Sequence, residues 1–404
     1  MYAAYPLENP IMNYAWGSHT ALADLLGQSQ PSAQPQAELW MGAHPKAPSL
    51  LAGTTPPRSL ADLIAGDIEK MLGASVAAAF DGQLPFLLKV LAAREPLSIQ
   101  AHPSLEQARE GFTRENRNAI PLDAPQRNYR DDNHKPELIC ALTPFWALCG
   151  FRPPEQTARL MEKACGGSLG RFVDLLQSAS ARLPLKDFFG GLLTLPGPER
   201  EEALEEAIGF CLTTREDAAH WRWIPRLAQA YPGDIGALAP LFLNLVCLQP
   251  GEALFLPAGE LHAYLEGTGI EIMANSDNVL RGGLTPKHVD LPELLGVLNF
   301  ESLALEVITS RDRETGVAAY DAFCPEFQLY QLFPGQAGGK IEVRSAGPEI
   351  LLCLVGELEL TAGDPETRLA LKKGGALFIP AATGTYRISG EGCVYRAMVP
   401  GDGV

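Results

Sequence analysis

Positive charge is what this sequence has least of. Its 404 residues carry 32 Lys and Arg against 48 Asp and Glu, a formal net charge of −16. That balance excludes non-specific binding to nucleic acid or to an anionic membrane surface. The first basic residue is Lys46, so the charged start of a signal or transit peptide is missing. No apolar run approaches the roughly 20 residues that span a bilayer. None of the eight cysteines stands in a CxxC pair, and a chain this long needs no disulfide staples. Reduced thiols in a cytoplasmic protein are expected. The shortage of cations also means that an anionic substrate needs a local cluster of Lys and Arg, so such a cluster is informative here.

The chain is too long for one ordinary core, and two or three domains are expected. LPFLLKVLAA (84–93) reads as a buried strand whose single charge is Lys89. That lysine is either a strand-end residue with its head in water or a cation serving a pocket. From Pro153 to about Pro240, apolar residues recur at helical spacing with acids between them. From Val317 on, short alternating segments with Gly and Pro turns suggest a sandwich or barrel.

Two segments match each other. GEALFLPAGELH (251–262) aligns with GGALFIPAATGT (374–385), and His262 in the first copy stands where Thr385 stands in the second. This is the mark of a duplicated β unit with any metal confined to the first copy.

Three stretches carry chemistry. In SIQAHP (98–103), Gln100 and His102 are two apart and point to one side of a strand. In NHKPE (133–137), Pro136 favours extended backbone, so Lys135 and Glu137 share a face while His134 takes the other. The stretch 250–290 reads as a hairpin carrying His262, followed by Asp277 and Arg281. His19 and His44 read as surface or packing residues, His220 as structural, and Lys287 and His288 as rim residues.

The spacing Gly–x5–Pro–x–Gly–x2–His at 251–262 resembles the second signature of the cupin superfamily, small jelly-roll barrels that hold a metal. With YAWGS (14–18), ELWMGAHP (38–45), SIQAHP, NHKPE and GIEIMANSDNVLRGGLTPKHVD (269–290), most of the chain resembles the type I mannose-6-phosphate isomerases. The fold implied is mainly β with a helical insertion: duplicated cupin-type jelly-roll barrels plus an α-helical domain. Residues 1–153 with 241–316 would form the metal-binding unit, 154–240 the insertion, and 317–404 a degenerate barrel without metal.

The resemblance implies one Zn²⁺ held by Gln100, His102, Glu137 and His262, a mixed N/O set that also suits Mn²⁺, Co²⁺ or Fe²⁺. It implies interconversion of mannose 6-phosphate and fructose 6-phosphate by proton transfer through a cis-enediol. Arg281, Lys135, His134 and Asp277 are the expected catalytic groups. Lys89, Lys135 and Arg281 are the expected contacts to a hexose 6-phosphate. No nucleic acid or membrane partner is expected, and the chain is expected to act as a monomer. Two other readings compete: a different metal-dependent cupin chemistry, such as oxygenation or epimerisation, and a sugar-binding module without catalysis.

Overall fold

A computed structural model describes residues 4–178, 183–363 and 366–400. Most of the chain lies in two antiparallel sheets, one of ten strands and one of eleven, with helices packed around them. The Phe86–Ala93 strand explains how they meet. All eight of its residues are buried, because both faces are covered. Phe86, Leu88, Val90 and Ala92 point into a core shared by both sheets, with Ile350, Leu352, Phe378 and Tyr395 opposite. The alternate residues Leu87, Lys89 and Leu91 point the other way and line a cavity. The neighbouring strand does the same, sending Ile270 and Ile272 into the shared core and Glu271 and Met273 into the cavity.

The expected hairpin at 250–290 is not one. The Glu252–Leu256 and His262–Ala274 strands do not pair with each other; the Glu137–Ala141 strand lies between them and pairs with both. Pro257 and Gly259, the latter at φ +81°, steer the connection out of the sheet instead of through a two-residue turn. This insertion brings Glu137 beside the strand that begins at His262.

The matching segment near the C-terminus repeats the arrangement. Ala376–Ile379 and Thr385–Met398 flank the Glu349–Ala362 strand. Glu137 pairs in register with Leu256, and Glu349 with Ile379, so the two carboxylates hold equivalent places. Glu349 is fully buried and bound by Arg396 through Nε at 2.7 Å and Nη2 at 2.6 Å, with the Tyr386 hydroxyl donating at 2.6 Å. Arg396→Ala leaves that charge uncompensated and is expected to cost about 3–5 kcal/mol. A urea midpoint equal to the parent's would refute this.

Two boundaries differ from expectation. The first strand, Tyr5–Glu8, and the Leu50–Leu51 strand pair into the C-terminal sheet, not the one that carries Phe86–Ala93. The helices between Pro154 and Phe242 do not stand apart as a separate unit. Phe172, Phe188, Phe189, Trp221 and Phe242 pack in one core with Ile99, Leu148, Phe151, Leu261, Ala263 and Leu265. The helices bury their apolar stripes on the outer face of the sheet, so one core serves both. No helix among the described residues is long and apolar enough to cross a membrane.

Candidate metal centre and its cavity

Gln100 occupies the middle of a short three-strand patch. On one side it pairs in register with His262, on the other with Arg281. His102 lies just past the end of the Ile99–Ala101 strand. Pro103 and the capping box of Ser104 and Gln107 turn the chain into a helix there. Glu137 opens its own strand opposite Leu256 and Met273.

These four side chains converge. The Glu137 carboxylate reaches His102 Nε2 through Oε1 and His262 Nε2 through Oε2, each at 3.5 Å. The Gln100 amide lies 3.4 Å from His262 Nε2, and rotating the amide presents its oxygen to the same point. Each imidazole is oriented from behind. His102 Nδ1 donates to the Asn278 carbonyl at 2.7 Å, and His262 Nδ1 to the Glu260 carbonyl at 2.9 Å. Both Nε2 atoms therefore carry lone pairs aimed inward.

The donor set fits a metal ion. His102 Nε2 and Glu137 Oε2 are buried without a hydrogen-bond partner, a costly arrangement for a site meant to stay empty. A tetrahedral ion with bonds of about 2.1 Å sets its ligand atoms about 3.4 Å apart; each imidazole Nε2 lies 3.5 Å from a Glu137 oxygen, and ligand atoms of His102, Glu137 and His262 all lie within 4.8 Å of one another. Protonation states agree. Burial, reinforced by the Lys135 ammonium, pushes His102 down to about 4. Burial works to raise Glu137, but Lys135 and the two imidazoles outweigh it and hold the carboxyl well below its usual range.

Gln100 and Glu137 of the cluster line a cavity of about 570 Å³. Lys135 lines it and donates to Glu137 Oε1 at 2.8 Å. On the floor, Lys89 contacts Glu271 at 2.8 Å and Glu38 at 3.7 Å, beneath the Trp40 ring. Register explains the group, since Lys89 pairs with Glu271 on one side and Trp40 on the other. Burial raises the Glu271 carboxyl above its ordinary value, against the pull of Lys89.

Lys46, Arg130, Arg281 and Lys287 also line the cavity, Arg281 on the strand beside Gln100. Among the described residues none of the four forms an ion pair. Burial and then Arg130 lower the Arg281 pKa; burial and then Arg281, Arg130 and Lys46 lower that of Lys287. In a chain of net charge −16, four such cations in one cavity make a site for an anion.

Some expected residues are placed differently. His134 does not line the cavity. Its Nε2 is 2.6 Å from Glu326, in the part of the chain that forms the other sheet, because it alternates with Lys135 and Glu137 and so faces away. Lys89 lines the cavity, but two carboxylates already neutralise it, which leaves it poorly suited to hold a phosphate. Asp277 does line the cavity, and its ionic neighbour among the described residues is His44 at 3.9 Å. His44 takes the packing alternative: it is 5% exposed, lies edge-on to the Trp40 ring and lines the cavity.

Sequence reasoning also passed over Glu271, Arg130 and Lys46. A signal existed for Glu271. A lone Glu in the apolar GIEIMA and a lone Lys in the apolar LPFLLKVLAA are complementary charges in two buried strands.

Comparison with known proteins bears on this geometry. Residues 4–154 match the model of the phosphomannose isomerase type I catalytic domain. The mannose-6-phosphate isomerase of Escherichia coli K12 is 42% identical, with 96% of this chain and 98% of that protein covered. The Homo sapiens mannose-6-phosphate isomerase is 35% identical, with 93% of each covered. A crystal structure of a zinc-bound mannose 6-phosphate isomerase superimposes with a TM-score of 0.91 at 39% identity, covering 98% of this chain and 100% of that one. With near-complete coverage at this level of identity, the chain belongs to the type I phosphomannose isomerase family.

Proposed function

We propose that this protein is a zinc-dependent aldose–ketose isomerase that interconverts mannose 6-phosphate and fructose 6-phosphate, acting in the cytoplasm as a monomer. The single observation that carries the reading is a Gln–His–Glu–His cluster with orphaned buried atoms on His102 and Glu137, opening through Gln100 and Glu137 into a cavity that also holds four cations without an ion pair among the described residues. A metal site and a group of cations in one cavity suit an open-chain hexose 6-phosphate, which carries a carbonyl and a phosphate. The relatives' names and the zinc in the solved neighbour support the same assignment.

In this reading Gln100, His102, Glu137 and His262 hold the zinc. When bound, zinc supplies Lewis-acid polarisation of substrate oxygens and stabilises negative charge there. Lys46, Arg130 and Lys287 receive the phosphate, a task the sequence suggested for Lys89. Arg281 faces the charge that builds on the enediol oxygens. Glu271 takes the proton from C2 of the aldose and returns it to C1, because burial raises its basicity. Lys135 donates to a substrate oxygen while remaining tethered to Glu137. Asp277, at the cavity wall, orients a sugar hydroxyl. His134 takes no part. The two sheets are read as two jelly-roll units of cupin type, the second without metal, with the helices as an insertion into the first.

A coupled assay for fructose 6-phosphate formed from mannose 6-phosphate tests the reading. Turnover is expected, lost with exhaustive chelation and restored by Zn²⁺. Turnover that survives metal removal would sink the zinc assignment. Oxygen uptake with bound iron would favour a different cupin chemistry instead.

A further inference from the structure

Asn278 sits in the loop between the His262–Ala274 and Leu280–Gly283 strands and is fully buried. A buried amide has four hydrogen-bonding positions to satisfy, and this one spends them all on a different loop. Its Oδ1 accepts from the backbone N–H of Arg130 at 2.7 Å and of Asp131 at 3.2 Å. Its Nδ2 donates to the Asp131 carbonyl at 2.9 Å, to Asp131 Oδ1 at 3.1 Å and to the Asn133 carbonyl at 2.9 Å. Meanwhile its own backbone carbonyl accepts from His102 Nδ1 at 2.7 Å.

The two histidines of the cluster are thus fixed in different ways. His262 rests on Glu260, two residues back in its own chain. His102 rests on a carbonyl 176 positions away, in a loop that the Asn278 side chain ties to 130–133 alongside the bonds of Asp131 to Ser276 and to the Asp277 N–H. We infer that Asn278 is a positioning residue: by tying the 130–133 loop to the 275–279 loop, it holds the carbonyl that orients His102 and, with it, the backbone of Arg130 and the approach to Lys135 and Glu137. It touches neither the reacting atoms nor the ion. The inference rests on the proposed reading of His102 as a ligand.

The test is a chelator-competition titration with Zn²⁺ alone, run beside thermal unfolding of the metal-stripped proteins. Asn278→Ala is expected to bind zinc about 10- to 100-fold more weakly than the parent, the usual cost of losing support behind a ligand. Asn133→Ala is the control. It removes a bond from Asn133 Nδ2 to the Asn275 carbonyl between the same two loops but leaves every Asn278 contact in place. It is expected to lower the melting temperature while keeping zinc affinity near the parent's.

Equal losses of affinity in the two variants would mean general loosening and would overturn the inference, as would a folded Asn278→Ala with affinity within about twofold of the parent, well short of the loss expected for an unsupported ligand. Either result leaves the proposed ligand set standing. A parent that fails to bind zinc would instead overturn the ligand set and this inference together. Should Asn278→Ala not fold, Asn278→Ser, which keeps one donor and an acceptor, is read against the same thresholds.

Discussion

His262→Ala is expected to lose zinc on dialysis and, with it, turnover. Zinc held by protein ligands at neutral pH is bound by about 10–16 kcal/mol in small structural sites. Shared over four ligands, one imidazole contributes roughly 3–4 kcal/mol, or about 10²- to 10³-fold in affinity. No neighbour can replace it: the other members of the cluster are already committed, and the residue is only 1% exposed. The check is metal content after dialysis together with turnover in added Zn²⁺. A variant that retains one equivalent of zinc and full turnover would remove His262 from the site.

Arg281→Ala is expected to behave in the opposite way on metal and similarly on rate. Its strand neighbour is Gln100, so the guanidinium stands beside the cluster without belonging to it, and zinc content should be unchanged. The group is half-buried, has no acidic partner among the described residues, and is already lowered from its ordinary pKa by burial and by Arg130. A cation in that state gains most from a charge that appears during reaction. Loss of one such donor costs about 10²- to 10³-fold in turnover. Steady-state kinetics decide the point: a raised KM at unchanged kcat would mean that Arg281 binds substrate and transition state equally, as a phosphate contact does.

Much of this site was open to reading because short strands impose a period of two. Gln100 and His102, and Lys135 and Glu137, are spaced so that each pair can share a face, and the structure places all four side chains around one region. The same period argued against His134, which alternates with its neighbours and turns to Glu326. Long-range pairing was less accessible. Lys89 and Glu271 are 182 positions apart, and only register across the sheet makes them partners. The unpaired cations come from three separate segments, and a linear sequence does not say which of its charges lack a counter-charge.

The architecture divides similarly. Buried strands and the helical stretch announced themselves through composition, whereas the strand that intervenes in the supposed hairpin could not. Nor could the crossing of Tyr5–Glu8 into the C-terminal sheet. Adjacent segments in sequence simply look like partners.

The equivalent carboxylates Glu137 and Glu349 differ in what answers their charge. Glu349 has Arg396, a cation that arrives with the chain and cannot diffuse away. On the proposed ligand set, Glu137 relies on an ion drawn from solution. A ligand that binds only the folded state stabilises it in proportion to the logarithm of its free concentration. The stability of the folded chain therefore varies with the supply of free zinc through Glu137 and not through Glu349. Under zinc starvation the buried charge left without an answer is the one in the proposed reactive site.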